Sequence, residues 1–280
     1  MYYFNAQIYV KSLIILLVVV FGFVIFYLKT DLPDATMKDF LIIIIFLFSL
    51  FGASGQTPIR NLIISHLTGD FYIYTTFGSY KGNRVPANSM YLVTSKGVVL
   101  FDTPWDSTQF QPLLDSIKIK HNKEVVLCIS THFHEDRTAG LEFYRRKGIK
   151  TYTTERTDKL SELRNEKRAE FLIYKDTVFE VGQHAFQTYY GGQGHSPDNI
   201  VIWFDQEKIL YGGCLVKSTE AEDLGNLSDA NPIAWAVTIK NIRQKFINPN
   251  YIIPGHMDWH SKKSLTHTLN LIQEYEQKKP

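Results

Sequence analysis

Short runs rich in apolar, aromatic and β-branched residues recur from residue 61 onward between polar turn segments, and this pattern is typical of β-strands. Three segments rich in Val, Tyr, Phe and Thr predict strands at 71–77, 89–95 and 97–102. The stretch GSYKGN at 78–83 carries turn residues and predicts a hairpin loop, and Lys96-Gly97 predicts a tight turn. This part of the chain is therefore expected to begin with a β-sheet.

Strands and helices alternate in the next part of the chain. The continuous apolar run at 123–130 predicts a strand that is covered on both faces. The stretch 138–148 predicts a helix that ends at Gly148, and a strand at 150–154 and a helix at 155–165 follow.

A second β-rich block follows, with predicted strands at 176–181, 185–190, 199–204 and 208–213. Residues 231–247 predict a helix, because the apolar residues recur at helical spacing at Trp235, Ile239, Ile242 and Phe246. A short strand at 250–255 and a C-terminal helix that buries Leu265, Leu269 and Ile272 complete the pattern. Two similar β-rich halves that each end in helices predict an α/β fold, an αββα sandwich of two mixed sheets with helices on the outer faces.

The N-terminal part carries two apolar runs, at 12–28 and 40–51. The second has a short basic segment before it and small residues after it, so residues 37–55 are predicted to be a signal peptide that is cleaved near Gly55. The first run is close to membrane-spanning length. Because a membrane helix rarely precedes a signal peptide, we infer that translation starts at Met37 and that residues 1–36 come from an upstream start codon.

Composition narrows the class of protein. The chain has 280 residues, a formal net charge of +2 and 45% hydrophobic residues, which suits one domain, assigned to residues 56–280. No Lys/Arg run stands out, so nucleic acid is not an expected partner. Two cysteines, Cys128 and Cys214, are too few for a disulfide framework. They either form one bridge, or one of them has a chemical role such as binding metal in an oxidising compartment.

The stretch THFHEDR at 131–137 directly follows the predicted strand 123–130. In an extended chain alternate residues point the same way, so His132, His134 and Asp136 are expected to share one side, with Glu135 on the other. Imidazole and carboxylate groups are zinc ligands. This motif therefore predicts a metal site at a strand end.

Three other residues have a similar placement at a strand edge beside glycines: His195 in GGQGHSPDN, Cys214 in YGGCLVK and His256 in IIPGHMDW. They are the expected further ligands. The remaining histidines lack this context and are expected to be exposed or on helix surfaces: His66, His121, His184, His260 and His267.

Together, HFHEDR, GHSPDN, GGCLVK and PGHMDW resemble the class B metallo-β-lactamases, and more narrowly subclass B1, over nearly all of residues 61–280. The resemblance implies the metallo-β-lactamase fold and two zinc ions. His132, His134 and His195 would hold the first zinc, and Asp136, Cys214 and His256 the second. Thioesterases and nucleases of the wider superfamily typically have His and Asp where this chain has Arg137 and Cys214, and both departures favour a lactamase.

The resemblance also implies the chemistry. A zinc-bound hydroxide would hydrolyse the β-lactam amide bond of penicillins, cephalosporins and carbapenems, giving antibiotic resistance without a covalent acyl-enzyme. Lys217 would pair with the substrate carboxylate, and Asn226 would lie near the carbonyl oxygen, with a turn residue as the alternative interpretation of Asn226. Asp102 and Arg137 resemble groups that orient the ligands, and the hairpin 76–88, with Phe77, Tyr80 and Val85, resembles a mobile flap over the substrate.

Two other interpretations compete with a β-lactamase. One is a dizinc hydrolase of the same fold that acts on another lactone, thioester or amide, and the other is a zinc-binding or membrane-anchored protein without catalysis. Lys217 and Cys214 argue against the first. The second is disfavoured because a purely structural zinc site would be closed by four ligands, which the predicted ligand set with Lys217 beside it does not resemble. We expect a periplasmic monomer whose partner is a small β-lactam and which meets the membrane only through the N-terminal signal or anchor.

Overall fold

The computed structural model of the chain describes residues 61–278. The expected N-terminal extension at 1–36 and the signal peptide at 37–55, with its cleavage near Gly55, lie outside the described residues. Within residues 61–278, none of the helices is both long and apolar enough to cross a membrane.

The described part contains two β-sheets. The first has seven strands in chain order: β1 (Leu62–Thr68), β2 (Phe71–Tyr80), β3 (Asn83–Thr94), β4 (Gly97–Phe101), β5 (Val125–Ile129), β6 (Lys150–Thr154) and β7 (Phe171–Ile173). The second has five, in the order β12-β11-β10-β9-β8: β8 (Val178–Val181), β9 (His184–Tyr189), β10 (Val201–Phe204), β11 (Ile209–Gly213) and β12 (Tyr251–Pro254). Each sheet is antiparallel over its hairpins and parallel where helices connect the strands, as in β4-β5 and β11-β12.

Six α-helices connect and cover these strands: α1 (Phe110–His121), α2 (Glu135–Thr138), α3 (Leu141–Arg146), α4 (Glu155–Leu163), α5 (Pro232–Lys245) and α6 (Ser264–Gln277). Strand β4 shows how the layers arise, because successive side chains of a strand point to opposite faces. Val99 and Phe101 belong to the core cluster between the two sheets, whereas Val98 and Leu100 pack in the cluster that contains α1. The other outer face buries Trp235 of α5 against the second sheet. These four layers confirm the predicted αββα sandwich.

The structure departs from the sequence prediction in several elements. The predicted helix 138–148 is two short helices, α2 and α3, with a break at Ala139-Gly140. The Gly140 amide donates to Thr103 Oγ1 at 3.0 Å, and a β-carbon at Gly140 would lie only 3.0 Å from Thr103 Cβ. The packing of this turn against the loop after β4 thus fixes the break. Strand β1, strand β7 and helix α1 were not predicted.

Candidate metal centre

The first motif leaves the end of β5 and turns directly into a short helix. His132 and His134 lie in the loop, with His134 at the N-cap of α2, and Asp136 is in the first turn of that helix. The expected convergence of the three side chains is present, but the expected alternation along an extended chain was the wrong reason for Asp136. The chain stays extended as far as His134, whose backbone has a φ of −63° and a ψ of 149°, and then turns into α2, which carries Asp136. Asp136 Oδ1 lies 4.0 Å from His132 Nε2.

Three imidazole nitrogens converge at the bottom of the site. His134 Nδ1 lies 3.1 Å from His132 Nε2 and 3.0 Å from His195 Nε2. His195 comes from the loop before β10, so this group joins loops of both sheets. We call His132, His134 and His195 the three-histidine triad.

A second group of donor atoms lies beside the first. Cys214 Sγ is 3.3 Å from Asp136 Oδ2 and 3.2 Å from His256 Nε2, and the last two atoms are 3.2 Å apart. Cys214 follows β11 and His256 follows β12, two neighbouring parallel strands. We call Asp136, Cys214 and His256 the cysteine triad.

Glycine allows the close approach of these two loops. A β-carbon at Gly255 would lie 2.6 Å from the Cys214 amide nitrogen and 2.8 Å from Arg137 Nη2. Gly213 has a φ of +53°, a left-handed conformation that favours glycine. The Gly255 amide also donates to the Gly213 carbonyl at 2.8 Å, which joins the loops directly.

The donor spacing fits zinc. Two ligands about 2.0–2.1 Å from a tetrahedral ion lie about 3.3 Å apart, and a sulfur at about 2.3 Å widens this to about 3.6 Å. The observed spacings of 3.0–3.3 Å within both triads are close to these values. Imidazoles, a carboxylate and a thiolate also form a suitable donor set for zinc. The six residues therefore fit two ions, one in each triad.

Burial sets the protonation of the ligands. It holds the pKa values of His132 and His195 well below the usual range, which leaves neutral imidazoles with free lone pairs. Burial acts to raise the pKa of Asp136, but the Arg137 guanidinium and His256 outweigh it and hold that pKa well below its usual range. Burial raises the pKa of the Cys214 thiol, and Arg137 offsets this only in part. The thiol therefore loses its proton readily only when a second cation besides Arg137, such as a metal ion, lies beside it.

Arg137 is a fully buried cation beneath the cysteine triad. Its Nη2 atom lies 3.0 Å from Cys214 Sγ, 3.0 Å from Asp136 Oδ2 and 2.8 Å from the Gly255 carbonyl oxygen. Its Nη1 atom donates to the Asn88 carbonyl at 2.7 Å. One guanidinium thus holds the middle of β3, the ends of β11 and β12 and the motif helix together, as its assignment as an orienting group implies.

Asp102 also acts beneath the site, at the end of β4 and in a left-handed conformation with a φ of 68°. Its carboxylate accepts from the Thr131 amide at 2.6 Å and the Tyr211 hydroxyl at 2.5 Å, and lies 3.5 Å from Arg137 Nη1. Burial raises the pKa of Asp102 to about 6. The Thr131 contact fixes the start of the loop that carries His132.

Asp229 was not predicted from the sequence, yet it contacts a ligand of the three-histidine triad. Its Oδ2 atom lies 3.2 Å from His134 Nε2. Because an ionised carboxylate only accepts, Nε2 carries the proton and Nδ1 presents its lone pair to the triad. Asp229 is 95 residues from His134 in the chain and has no ligand-like spacing, so no sequence signal pointed to it.

Residues of β3 support His256, and this support is another contact that the sequence did not reveal. His256 Nδ1 donates to the Pro86 carbonyl at 2.7 Å, which leaves Nε2 for the cysteine triad. The buried Asn88 amide donates to the carbonyls of Pro254 and Met257 at 3.2 and 2.7 Å. The strand that continues into the hairpin tip therefore also orients a ligand.

A cavity of about 470 Å³ opens above both triads. Its lining includes His134, Glu135, Asp136, His195 and His256 from the motif loops, Trp105, Lys217 and Asn226 from the walls, and Tyr80, Lys81 and Val85 from the hairpin. Phe77 is not part of this lining; the Arg84 guanidinium lies over its ring, with its carbon 3.4 Å from the ring centre. Trp105, missed from the sequence, packs so closely on Gly78 that a β-carbon there would be 2.2 Å from its ring.

Lys217 and Asn226 lie on the same wall of this cavity. Lys217 is half-buried, with Nζ 5.4 Å from the centre of the Trp235 ring, and burial lowers its pKa. Asn226 Oδ1 accepts from the Ser228 amide at 3.2 Å, so the turn role considered for this residue is present together with its place in the wall.

The remaining histidines and the second cysteine lie outside the triads. His121 contacts the Tyr91 hydroxyl at 2.9 Å, and His184 contacts Asp70 at 2.9 Å. Both Cys128 and Cys214 are free thiols, and Cys128 is buried in the middle of β5. The alternative of a disulfide between them is not what the structure shows.

Comparison with known proteins gives consistent matches. The profile of the Metallo-beta-lactamase superfamily matches residues 82–256. The chain is 41% identical over 242 residues to a metallo-beta-lactamase type 2 of Elizabethkingia meningoseptica, covering 86% of this chain and 96% of that protein. It is 38% identical over 252 residues to metallo-beta-lactamase IND-1 of Chryseobacterium indologenes, covering 90% and 97%. The solved structure of a metallo-beta-lactamase from Pontibacter korlensis matches with a TM-score of 0.74 and 33% identity, covering 76% and 99%.

Proposed function

Because the chain belongs to the metallo-beta-lactamase superfamily, we propose that it hydrolyses the β-lactam amide bond of penicillins, cephalosporins and carbapenems, with two zinc ions as cofactors. One observation carries this proposal: six donor atoms converge in two adjacent triads at the floor of a cavity whose wall presents Lys217. A protein with these features confers resistance to the antibiotics that it hydrolyses.

The residues around the cavity have separate roles in the proposed reaction. The three-histidine triad and the cysteine triad would each hold one ion, and Asp136 contributes to the reaction as a ligand of the second. Bound zinc supplies a Lewis acid and lowers the pKa of coordinated water toward neutrality. Lys217 would bind the carboxylate of the substrate, and Asn226 would donate to the carbonyl oxygen; both residues line the cavity, which supports these roles. Tyr80 and Val85 of the hairpin are placed to exclude water from the bound substrate.

Hydrolysis of a chromogenic cephalosporin and of a carbapenem by the zinc-loaded protein tests this function. We expect both substrates to be cleaved, activity to be lost in the presence of a chelator, and activity to return with added zinc. A zinc-loaded protein that cleaves neither substrate would eliminate the β-lactamase proposal. Activity that is indifferent to the chelator would eliminate the role of the metal.

Replacing Lys217 by alanine is expected to raise KM for carboxylate-bearing β-lactams by about tenfold or more, since a hydrogen bond between charged groups contributes about 1.5–3 kcal/mol. The effect on kcat should be smaller, because the carboxylate is bound in the ground state and the transition state alike. Steady-state kinetics of K217A and K217R check this, with the exposed Lys240→Ala as the control. An unchanged KM in K217A would refute the assigned role.

We also propose that the protein is exported to the periplasm and acts as a monomer. The signal-like segment at 37–55 supports export, because it has a short basic start, an apolar run and small residues at the expected cleavage site. Amino-terminal sequencing of the mature protein from expressing cells checks this. A mature chain that still contains residues 37–55 would contradict it.

A further inference from the structure

We propose that Arg164 is a positioning residue for the three-histidine triad, acting through Asp229 on His134. Arg164 follows the end of α4, and its Nη2 atom lies 2.5 Å from Asp229 Oδ1. The other carboxylate oxygen of Asp229 lies 3.2 Å from His134 Nε2. An ion pair and a hydrogen bond thus connect Arg164 at the protein surface, through Asp229, to the His134 ring nitrogen opposite the one that faces the triad.

This series of contacts differs from a surface ion pair because Asp229 and His134 are largely buried. The Asp229 side chain is 13% exposed and that of His134 17%, whereas the Arg164 side chain is 54% exposed. A carboxylate that is largely removed from water needs hydrogen-bond donors in place of the water molecules it loses. Asp229 has three donors: Arg164 on one oxygen, and His134 together with the Ser228 hydroxyl at 3.1 Å on the other.

The charge of Asp229 matters because of what His134 must do. An ionised carboxylate against Nε2 makes the opposite nitrogen, Nδ1, a stronger donor to a metal and fixes the plane of the ring. Arg164 holds the Asp229 carboxylate in place by the shortest of these contacts. Without Arg164, Asp229 can turn toward solvent and leave His134 free to rotate.

Alanine at Arg164 is therefore expected to weaken metal binding at the three-histidine triad by about three- to tenfold, less than the 10- to 100-fold typical of direct partners of metal ligands, because Arg164 acts through Asp229. The inference rests on the proposed metal binding by His134, but not on the identity of the substrate. Affinity is measured by competition of the purified protein with a chromophoric chelator for Zn²⁺. Co²⁺ absorption separates the triads, because the thiolate band reports Cys214 and the ligand-field bands report the histidines.

Arg168→Ala is the matched control. Arg168 belongs to the same segment, is 44% exposed and forms an ion pair with Asp158 at 2.6 Å, but Asp158 contacts no triad member in the described part of the chain. R164K should retain most of the affinity, because lysine can still neutralise Asp229. In a double-mutant cycle, R164A should add little to the loss caused by Asp229→Asn, since both act on the same contact.

The outcomes are distinct. A selective loss at the histidine bands in R164A, absent in R168A, supports the inference. Affinity in R164A within twofold of the unsubstituted protein overturns it, as does an equal loss in R164A and R168A, which would indicate only weakened folding. If the unsubstituted protein binds neither Zn²⁺ nor Co²⁺, the proposed function fails together with this inference.

Discussion

Replacement of Arg137 by alanine is expected to lower the free energy of unfolding by about 3–5 kcal/mol, the usual cost of removing one partner from a buried ion pair. Two buried carboxylates, Asp102 and Asp136, would lose their nearest cation. The carbonyls of Asn88 and Gly255 would lose a buried donor as well. Urea unfolding of the metal-free protein at pH 7 measures the effect apart from any loss of metal.

The loss of stability should depend on pH. Without the guanidinium, burial is expected to raise the pKa of Asp136, as it already raises the pKa of Asp102 to about 6. A pKa that is raised in the folded state favours protonation there, so the variant loses stability as pH rises through this window. The difference from the unsubstituted protein should therefore be largest at pH 7 and smaller near pH 5.

Two further variants calibrate this prediction. R137K keeps the charge and should recover part of the stability, although lysine lacks the fork that reaches both Cys214 and Gly255. Arg146→Ala removes an exposed arginine, 68% accessible, whose ion pair with Glu142 is worth at most about 1 kcal/mol. If R137A costs no more than R146A, the guanidinium does not hold the site together.

Replacement of Cys214 by serine is expected to weaken metal binding in the cysteine triad by more than about 100-fold. Substitution of groups that only support a ligand typically costs 10- to 100-fold in metal affinity, and loss of the ligand itself should cost more. A serine hydroxyl remains protonated where a thiol becomes a thiolate. The three-histidine triad, which contains no sulfur, should retain its ion.

Metal analysis and kinetics check this prediction together. C214S should keep one tightly bound Zn²⁺ per chain in place of two, and kcat/KM for a cephalosporin should fall in parallel with the loss of the second ion. Cys128→Ser is the matched control, since Cys128 is buried in β5, and its sulfur contacts the Asp102 carbonyl rather than a ligand. Retention of two equally tight ions in C214S would exclude Cys214 as a ligand.

Much of the fold was visible in the sequence because its layers follow simple periodicities. The apolar run of β5 and the helical stripe of Trp235, Ile239 and Ile242 predict their elements directly. Helix α1 was missed although its buried residues Phe110, Leu113 and Ile117 are spaced helically, and Pro112 in its first turn is compatible with a helix start. Strand β1 was missed because its residues are half-exposed throughout and show no clear alternation.

The residues of the site also fall into those that the sequence predicted and those that it did not. The six predicted ligands come together because each follows or precedes a strand at one edge of the sandwich, and this placement is encoded locally. The residues that orient them are not: Asp229 meets His134 across 95 residues, and Asn88 meets Pro254 across 166. Such contacts depend on how the finished layers pack, which the spacing of residues in one chain does not reveal.

The division of ligands between the two sheets has a consequence for the stability of the protein. His132, His134 and Asp136 come from the first sheet, and His195, Cys214 and His256 from the second. Each ion would therefore act as a cross-link between the halves of the sandwich, and by mass action would add about 2.7 kcal/mol of stability at a free concentration 100 times its Kd. A lack of zinc would then lower the stability of the fold as well as abolish activity, and a less stable fold is cleaved more readily by proteases.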